Sequence, residues 1–118
     1  FPDQPGTVVA VSGAFAAKNP QAVQAIADGI VKAIDLIKKD PKRTAPYIGA
    51  ALGKGIVSDA IIEKALASPA TKFVADPRVI IDATKKMQTY QVSIGTLDKD
   101  VPLDGLFDPS YYLKSIAK

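Results

Sequence analysis

Residues 18–41, "KNPQAVQAIADGIVKAIDLIKKDP", decide how the rest of the chain is read. Gln21, Gln24, Asp28, Lys32, Asp35 and Lys39 recur at steps of 3, 4, 4, 3 and 4, so on a helix they form one narrow polar stripe. The remaining circumference is apolar. Val23, Ile26, Ile30, Ile34 and Ile37 make one row; Ala22, Ala25, Gly29, Ala33 and Leu36 make a second of mostly small residues. A helix so patterned is expected to be covered on two sides, the small row admitting a close neighbour. Glycine inside a helix costs about 1 kcal/mol relative to alanine, and close packing at Gly29 is the expected compensation.

The boundaries of this helix repeat elsewhere. Asn19-Pro20, Asp40-Pro41, Asp76-Pro77 and Asp108-Pro109 each place a short acceptor side chain before a proline. Such a pair starts a helix, because the acceptor caps free N–H groups and proline's missing donor is harmless in the first turn. The helix from Pro41 meets Pro46, where it is expected to bend or restart, and stops by Gly53. A short helix, "DAIIEKALA", is expected with Ser58 as its cap and an end before Pro69. From Pro77 a long helix carries Ile80, Ala83, Met87, Tyr90 and Ile94 on one face and ends at Gly95. A turn-rich connector and a short final helix follow. Upstream, "GTVVAVSGAF" is β-branched and bounded by glycines, so Thr7–Val11 is expected to be a buried strand. No other segment offers that strand a convincing partner. The fold class expected is therefore mostly α with one short N-terminal strand.

Composition narrows the chemistry. The chain has 118 residues, 47% of them apolar and 23% charged, which suits one folded domain or less. It has no cysteine and no histidine, which removes disulfides, thiolate and imidazole metal sites, and the Ser-His-Asp and Cys-His arrangements. Catalysis would be left to carboxylate, lysine or tyrosine, and the expectation is that the chain is no enzyme, with no cofactor and no metal. The net charge of +3 is spread among interspersed acids and bases rather than gathered on one face, so no nucleic acid is expected as a partner. The longest apolar run, "VVAVSGAFAA", is about half a bilayer span and has no basic residue before it, unlike a signal peptide. The start at "FPDQPG", without methionine, is read as that of a fragment or a processed chain.

Several motifs reduce to plain structure. "GAALGK", Gly49–Lys54, is one residue short of a phosphate loop and has Gly55 in place of the Ser or Thr, so it reads as a glycine helix stop. Asp98, Asp100, Asp104 and Asp108 do not form a calcium loop, because Pro102 and Pro109 stand at ligand positions. Asp59 and Glu63 read as a solvated i, i+4 pair rather than an acid and its base, and the aromatic residues as core or rim. "APYIGAALGKGIVSDAIIEKALAS" has the outline of a helix-turn-helix, but its second helix opens Asp59-Ala60-Ile61-Ile62-Glu63 without a base-reading side chain.

"VVAVSGAFAAKNPQAVQAIADGIVKAIDLIKKDP", "DPRVIIDATKKMQTYQVSIGTL" and "VPLDGLFDPSYYLK" stand in an order that resembles the C-terminal segment of periplasmic solute-binding proteins of ABC importers. The similar group takes nitrate, taurine, aliphatic sulfonates and thiamine-precursor pyrimidines. The resemblance covers nearly the whole chain. It implies that residues 1–118 complete the first lobe of a two-lobe type II periplasmic binding protein, a partial α/β lobe whose other strands lie in an absent part. It further implies capture of a small anionic or aromatic solute, an ABC importer permease as partner, and a periplasmic location, or an extracellular, lipid-anchored one in a Gram-positive host. Only the interlobe crossover, "FPDQPGT", would lie near the cleft, which makes Asp3, Gln4 and Thr7 the substrate-binding candidates, with an ordinary hinge loop as the plain alternative. Two other classes stay open: a freestanding small helical protein-interaction domain and a helix-turn-helix DNA-binding regulator. For the chain alone, an unpartnered strand also leads to the expectation of a homodimer through paired Thr7–Val11 strands or exchanged helices.

Overall fold

The structure, a computed structural model, describes residues 3–118, and those residues are mostly helical with no strand. The helices are α1 (Gly13–Lys18), α2 (Pro20–Lys39), α3 (Pro41–Leu52), α4 (Asp59–Ala67), α5 (Ile81–Ser93) and α6 (Ser110–Ile116), with a 3-10 turn over Pro77–Ile80 leading into α5. They fall into two compact units, one of residues 1–27 and 76–118 and one of residues 28–75, the division lying within α2.

All four Asn/Asp-Pro pairs begin helical structure, though not by one mechanism. Asp40 Oδ1 accepts from the Arg43 amide at 3.0 Å, Asp76 Oδ1 from the Arg78 amide at 3.0 Å, and Asp108 Oδ1 from the Ser110 amide at 2.9 Å. Asn19 instead closes the helix before it, its Nδ2 donating to the Phe15 carbonyl at 3.2 Å. Helix α1 itself was not foreseen from residue pattern. Its signal is Ser12, whose hydroxyl accepts from the Phe15 amide at 3.2 Å and caps the first turn.

In the second unit, α3 and α4 pack together around Ala45, Gly49 and Ile62, all buried. Gly49 is the close approach: a Cβ there would stand 3.3 Å from both Ile62 Cδ1 and Asp59 Oδ1. Helix α3 runs through Pro46 as one element and does not restart there. Proline removes one backbone bond from the turn, while the buried Thr44 hydroxyl, within 2.9 Å of the Pro41 carbonyl and 3.2 Å of the Asp40 carbonyl, and the packed Ala45 hold the backbone just before it. Gly53 ends α3 at φ 111°, a conformation that favours glycine. Helix α4 has its expected bounds, but the Ser58 hydroxyl makes no capping bond.

In the first unit, α2 is tied to α6. Gln24 Nε2 donates to the Tyr111 carbonyl at 2.9 Å and to Ser115 Oγ at 3.0 Å. The polar stripe of α2 is thus partly an internal attachment. Gln88 Oε1 on α5 accepts from the Val101 amide at 2.9 Å and secures the connector that follows α5.

The expected strand is absent. Thr7–Val11 carries neither helix nor ladder, with Val8 58% and Val9 67% exposed. A strand needs a neighbour for its amides and carbonyls, and none of the described residues provides one. The expectation for α2 is also corrected on one side. Val23 is buried and Ile30, Ile34 and Ile37 are half-buried, though Ile26 of that row is exposed; in the small row Leu36 is half-buried, but Ala22, Ala25, Gly29 and Ala33 are exposed, and no atom lies within 4 Å of the place a Gly29 Cβ would occupy.

The buried apolar residues are Val23, Ala45 and Ile62, a small core for this length. The chain exposes 8728 Å².

Candidate functional site

The crossover candidates part company. Asp3 and Thr7 are exposed, while Gln4 is half-buried and lines a hollow of about 440 Å³ in the first unit, beside Met87, Gln91, Leu97, Leu103 and Leu106. Phe1 and Pro2 of the same stretch lie outside the described residues. Gln4 Oε1 is enclosed and takes no hydrogen bond. An enclosed acceptor left unpaired costs about 1–3 kcal/mol. The lining sets the amides of Gln4, Gln88 and Gln91 and the Thr84 hydroxyl among the apolar Met87, Leu97, Leu103 and Leu106. Position in the chain singled out Gln4, but nothing in the sequence signalled the wall it faces, which is built from α5 and the connector after it.

The second unit has a hollow of similar volume, about 440 Å³, at the junction of α2 with α3 and the segment after α4. Ile37, Leu66, Phe73 and Val74 give it apolar lining, with Lys38 and Lys72 at its border.

The perturbed ionisable groups are structural. The Arg78 guanidinium holds the Asp76 carboxyl below the usual carboxylate range, through Nε at 2.9 Å from Oδ1 and Nη2 at 2.7 Å from Oδ2, and Asp76 in turn raises Arg78. Ser110 lowers Asp108 in the same way through its hydrogen bonds. Both carboxylates occupy helix starts, and neither faces a hollow named above. Among the described residues no group of three or more His, Cys, Asp or Glu side chains converges on a metal position. No helix among them is long and apolar enough to cross a membrane.

The helix-turn-helix outline does fold as a helical hairpin, α3 and α4, across the turn at 53–58. On the outer side of α4 stand Asp59, Ala60, Ile61 and Lys64, so the exposed start of the second helix is acidic and apolar.

The chain matches no known protein family, no curated protein and no solved structure.

Proposed function

We propose that this chain is the C-terminal segment of a periplasmic solute-binding protein of an ABC importer, in the group that handles nitrate, taurine, aliphatic sulfonates and thiamine-precursor pyrimidines. It acts without catalysis and without a cofactor. The observation that carries the reading is the open apolar surface. The small row of α2 and the Thr7–Val11 segment are the two features that the resemblance assigns to a sheet elsewhere in the protein, and the segment and the Ala22, Ala25, Gly29 and Ala33 part of the row are uncovered. Segment and helix together then make a strand-and-helix unit waiting for the neighbouring strands of an α/β lobe. In the complete protein the Thr7–Val11 segment becomes a strand, the small row of α2 lies on the sheet, and Asp3, Gln4 and Thr7 border the cleft in which the solute is clamped. The location is periplasmic, or extracellular and lipid-anchored in a Gram-positive host, and the importer permease is the partner.

A freestanding interaction module would have to cover α2 from within the chain, and the exposed Ala22, Ala25, Gly29 and Ala33 speak against it. A DNA-binding reading lacks basic side chains at the start of α4. The reading frame upstream of Phe1 tests the proposal. The expected result is a further stretch the size of at least one more domain, roughly 100–150 residues or more, preceded by a secretion signal. A start codon within a few codons of Phe1 would refute it.

A further inference from the structure

The hollow beside the α2–α3 corner lies wholly within residues 28–75, and hydrogen bonds fix both of its walls. One wall is the corner itself. The Asp40 amide donates to the Leu36 carbonyl at 2.8 Å, which closes α2, and Asp40 Oδ1 caps α3 at the Arg43 amide, so Ile37 and Lys38 stand on a fixed turn. The other wall is the end of α4 and the segment after it. Thr71 Oγ1 donates to the Ala65 carbonyl at 2.7 Å and the Thr71 amide to the Ser68 carbonyl at 3.0 Å, which turns residues 71–74 back on the last turn of α4 and Leu66. The lining then divides by chemistry. Ile37, Leu66, Phe73 and Val74 give an apolar floor that remains partly open to solvent. Among the described residues that line the hollow, the ionisable side chains are Lys38 and Lys72, with no Asp or Glu. The acids nearest to Lys38 in sequence are engaged elsewhere, Asp35 with Lys39 Nζ at 2.8 Å and Asp40 with the Arg43 amide at 3.0 Å.

We propose that this hollow binds a small amphiphilic anion, an alkyl carboxylate of medium chain length, its head group at Lys38 and Lys72 and its chain on Ile37, Leu66, Phe73 and Val74. Charge complementarity selects this occupant. Two ammonium groups with no carboxylate in the same lining favour a negative head group. Lysine meets it as a point charge on a flexible stem, which suits a small carboxylate that approaches from an open side. An inorganic anion would leave the apolar floor wet, and an uncharged apolar molecule would leave the ammonium groups unused; an anion with an alkyl chain uses both. The volume of about 440 Å³ falls within the roughly 300–1,000 Å³ of small-molecule sites. Asp3, Gln4 and Thr7, which the transport reading sets at the cleft, do not line this hollow. The site therefore goes beyond that reading and does not depend on it: the upstream reading frame decides the one, and binding to the chain decides the other.

Amide and methyl NMR of the whole chain, titrated with octanoate below its micelle concentration at fixed ionic strength, is the test. The expected result is a saturable set of shifts confined to residues 37–41 and 66–74, with a dissociation constant below about 2 mM. Each methylene removed from the ligand is expected to weaken binding about two- to fourfold. Octan-1-ol, which keeps the chain and loses the charge, is expected to bind at least about threefold more weakly. The double variant Lys38→Gln/Lys72→Gln changes two exposed side chains and is expected to weaken octanoate by about threefold or more while leaving octan-1-ol unaffected. Lys54→Gln, an exposed lysine outside the lining, is expected to leave octanoate binding within about 1.5-fold. Binding weaker than about 2 mM, shifts centred on other residues, octan-1-ol binding as tightly as octanoate, or equal weakening by Lys54→Gln and the double variant would each overturn the proposal. So would shifts at the same residues that grow with protein concentration alone, which would make a second copy the occupant.

Discussion

Replacing Gly29 with alanine separates the chain as it stands from a chain packed on the sheet proposed above. Gly29 lies well inside the 20-residue α2, on the exposed small row, with nothing within 4 Å of the added methyl. The substitution therefore meets no steric penalty and gains the propensity difference between the two residues, about 1 kcal/mol, part of it from restricting the unfolded chain. For units of this size that gain raises the midpoint of thermal unfolding by roughly 4–8 °C. Circular dichroism at 222 nm, at a concentration low enough to keep the chain monomeric, reads it. An unchanged or lowered midpoint would mean that something in the chain already packs on Gly29, and the argument from open surface would fail. If the proposed two-lobe reading holds, the same methyl in the complete protein would enter a close helix–sheet contact, where overpacking costs about 1–3 kcal/mol, and the sign of the effect would reverse.

Ile62→Ala is expected to destabilise the α3–α4 pair by about 2–3 kcal/mol, the lower part of the range for buried isoleucine because a two-helix site can collapse; urea titration reads the loss, and less than about 0.5 kcal/mol would deny that this pair is a core. Gly49→Ala crowds Ile62 Cδ1 at 3.3 Å, so it should be better tolerated beside Ile62→Val, with a coupling of about 0.5–1 kcal/mol in the double-mutant cycle. Gln24→Ala removes the tie to Tyr111 and Ser115 and should cost about 1–2 kcal/mol, with faster amide exchange in α6; unchanged exchange would show that Gln24 does not anchor that helix. Acid should also weaken the fold through Asp76 and Asp108. Both have folded pKa values below their unfolded ones, so their contributions are complete above the ordinary carboxylate pKa of about 4 and are lost as pH falls through the folded values. Asp76→Asn should flatten that acid limb slightly, and an unaltered limb would mean that the exposed Arg78 pair adds nothing.

Signals within four or five residues were legible in the sequence. The Asp-Pro starts at Asp40, Asp76 and Asp108, the glycine stop at Gly53 and the span of α4 depend on caps and backbone preferences that neighbouring residues set alone. Features resting on distant partners were less so. Thr7–Val11 has strand composition, but a strand exists only with a neighbour, and composition does not supply one. Gln24 looked like solvent-facing polarity and instead bonds α6, some 87 residues away. The α2 pattern foretold two covered sides, and only one is covered: periodicity records which faces are apolar, not whether the covering surface belongs to the same chain. Gln4 was reached only through the family resemblance, while the α5 and connector residues around it have no local signature of a site.

The most direct measurement of the central claim is the mass and compartment of the protein that carries this sequence in its own cells. An immunoblot of osmotic-shock fluid with antibody raised against the chain is predicted to show a periplasmic band well above 12.4 kDa, or a membrane-anchored extracellular one in a Gram-positive host. A single band at the mass of the chain itself, in the cytoplasmic fraction, would contradict the account.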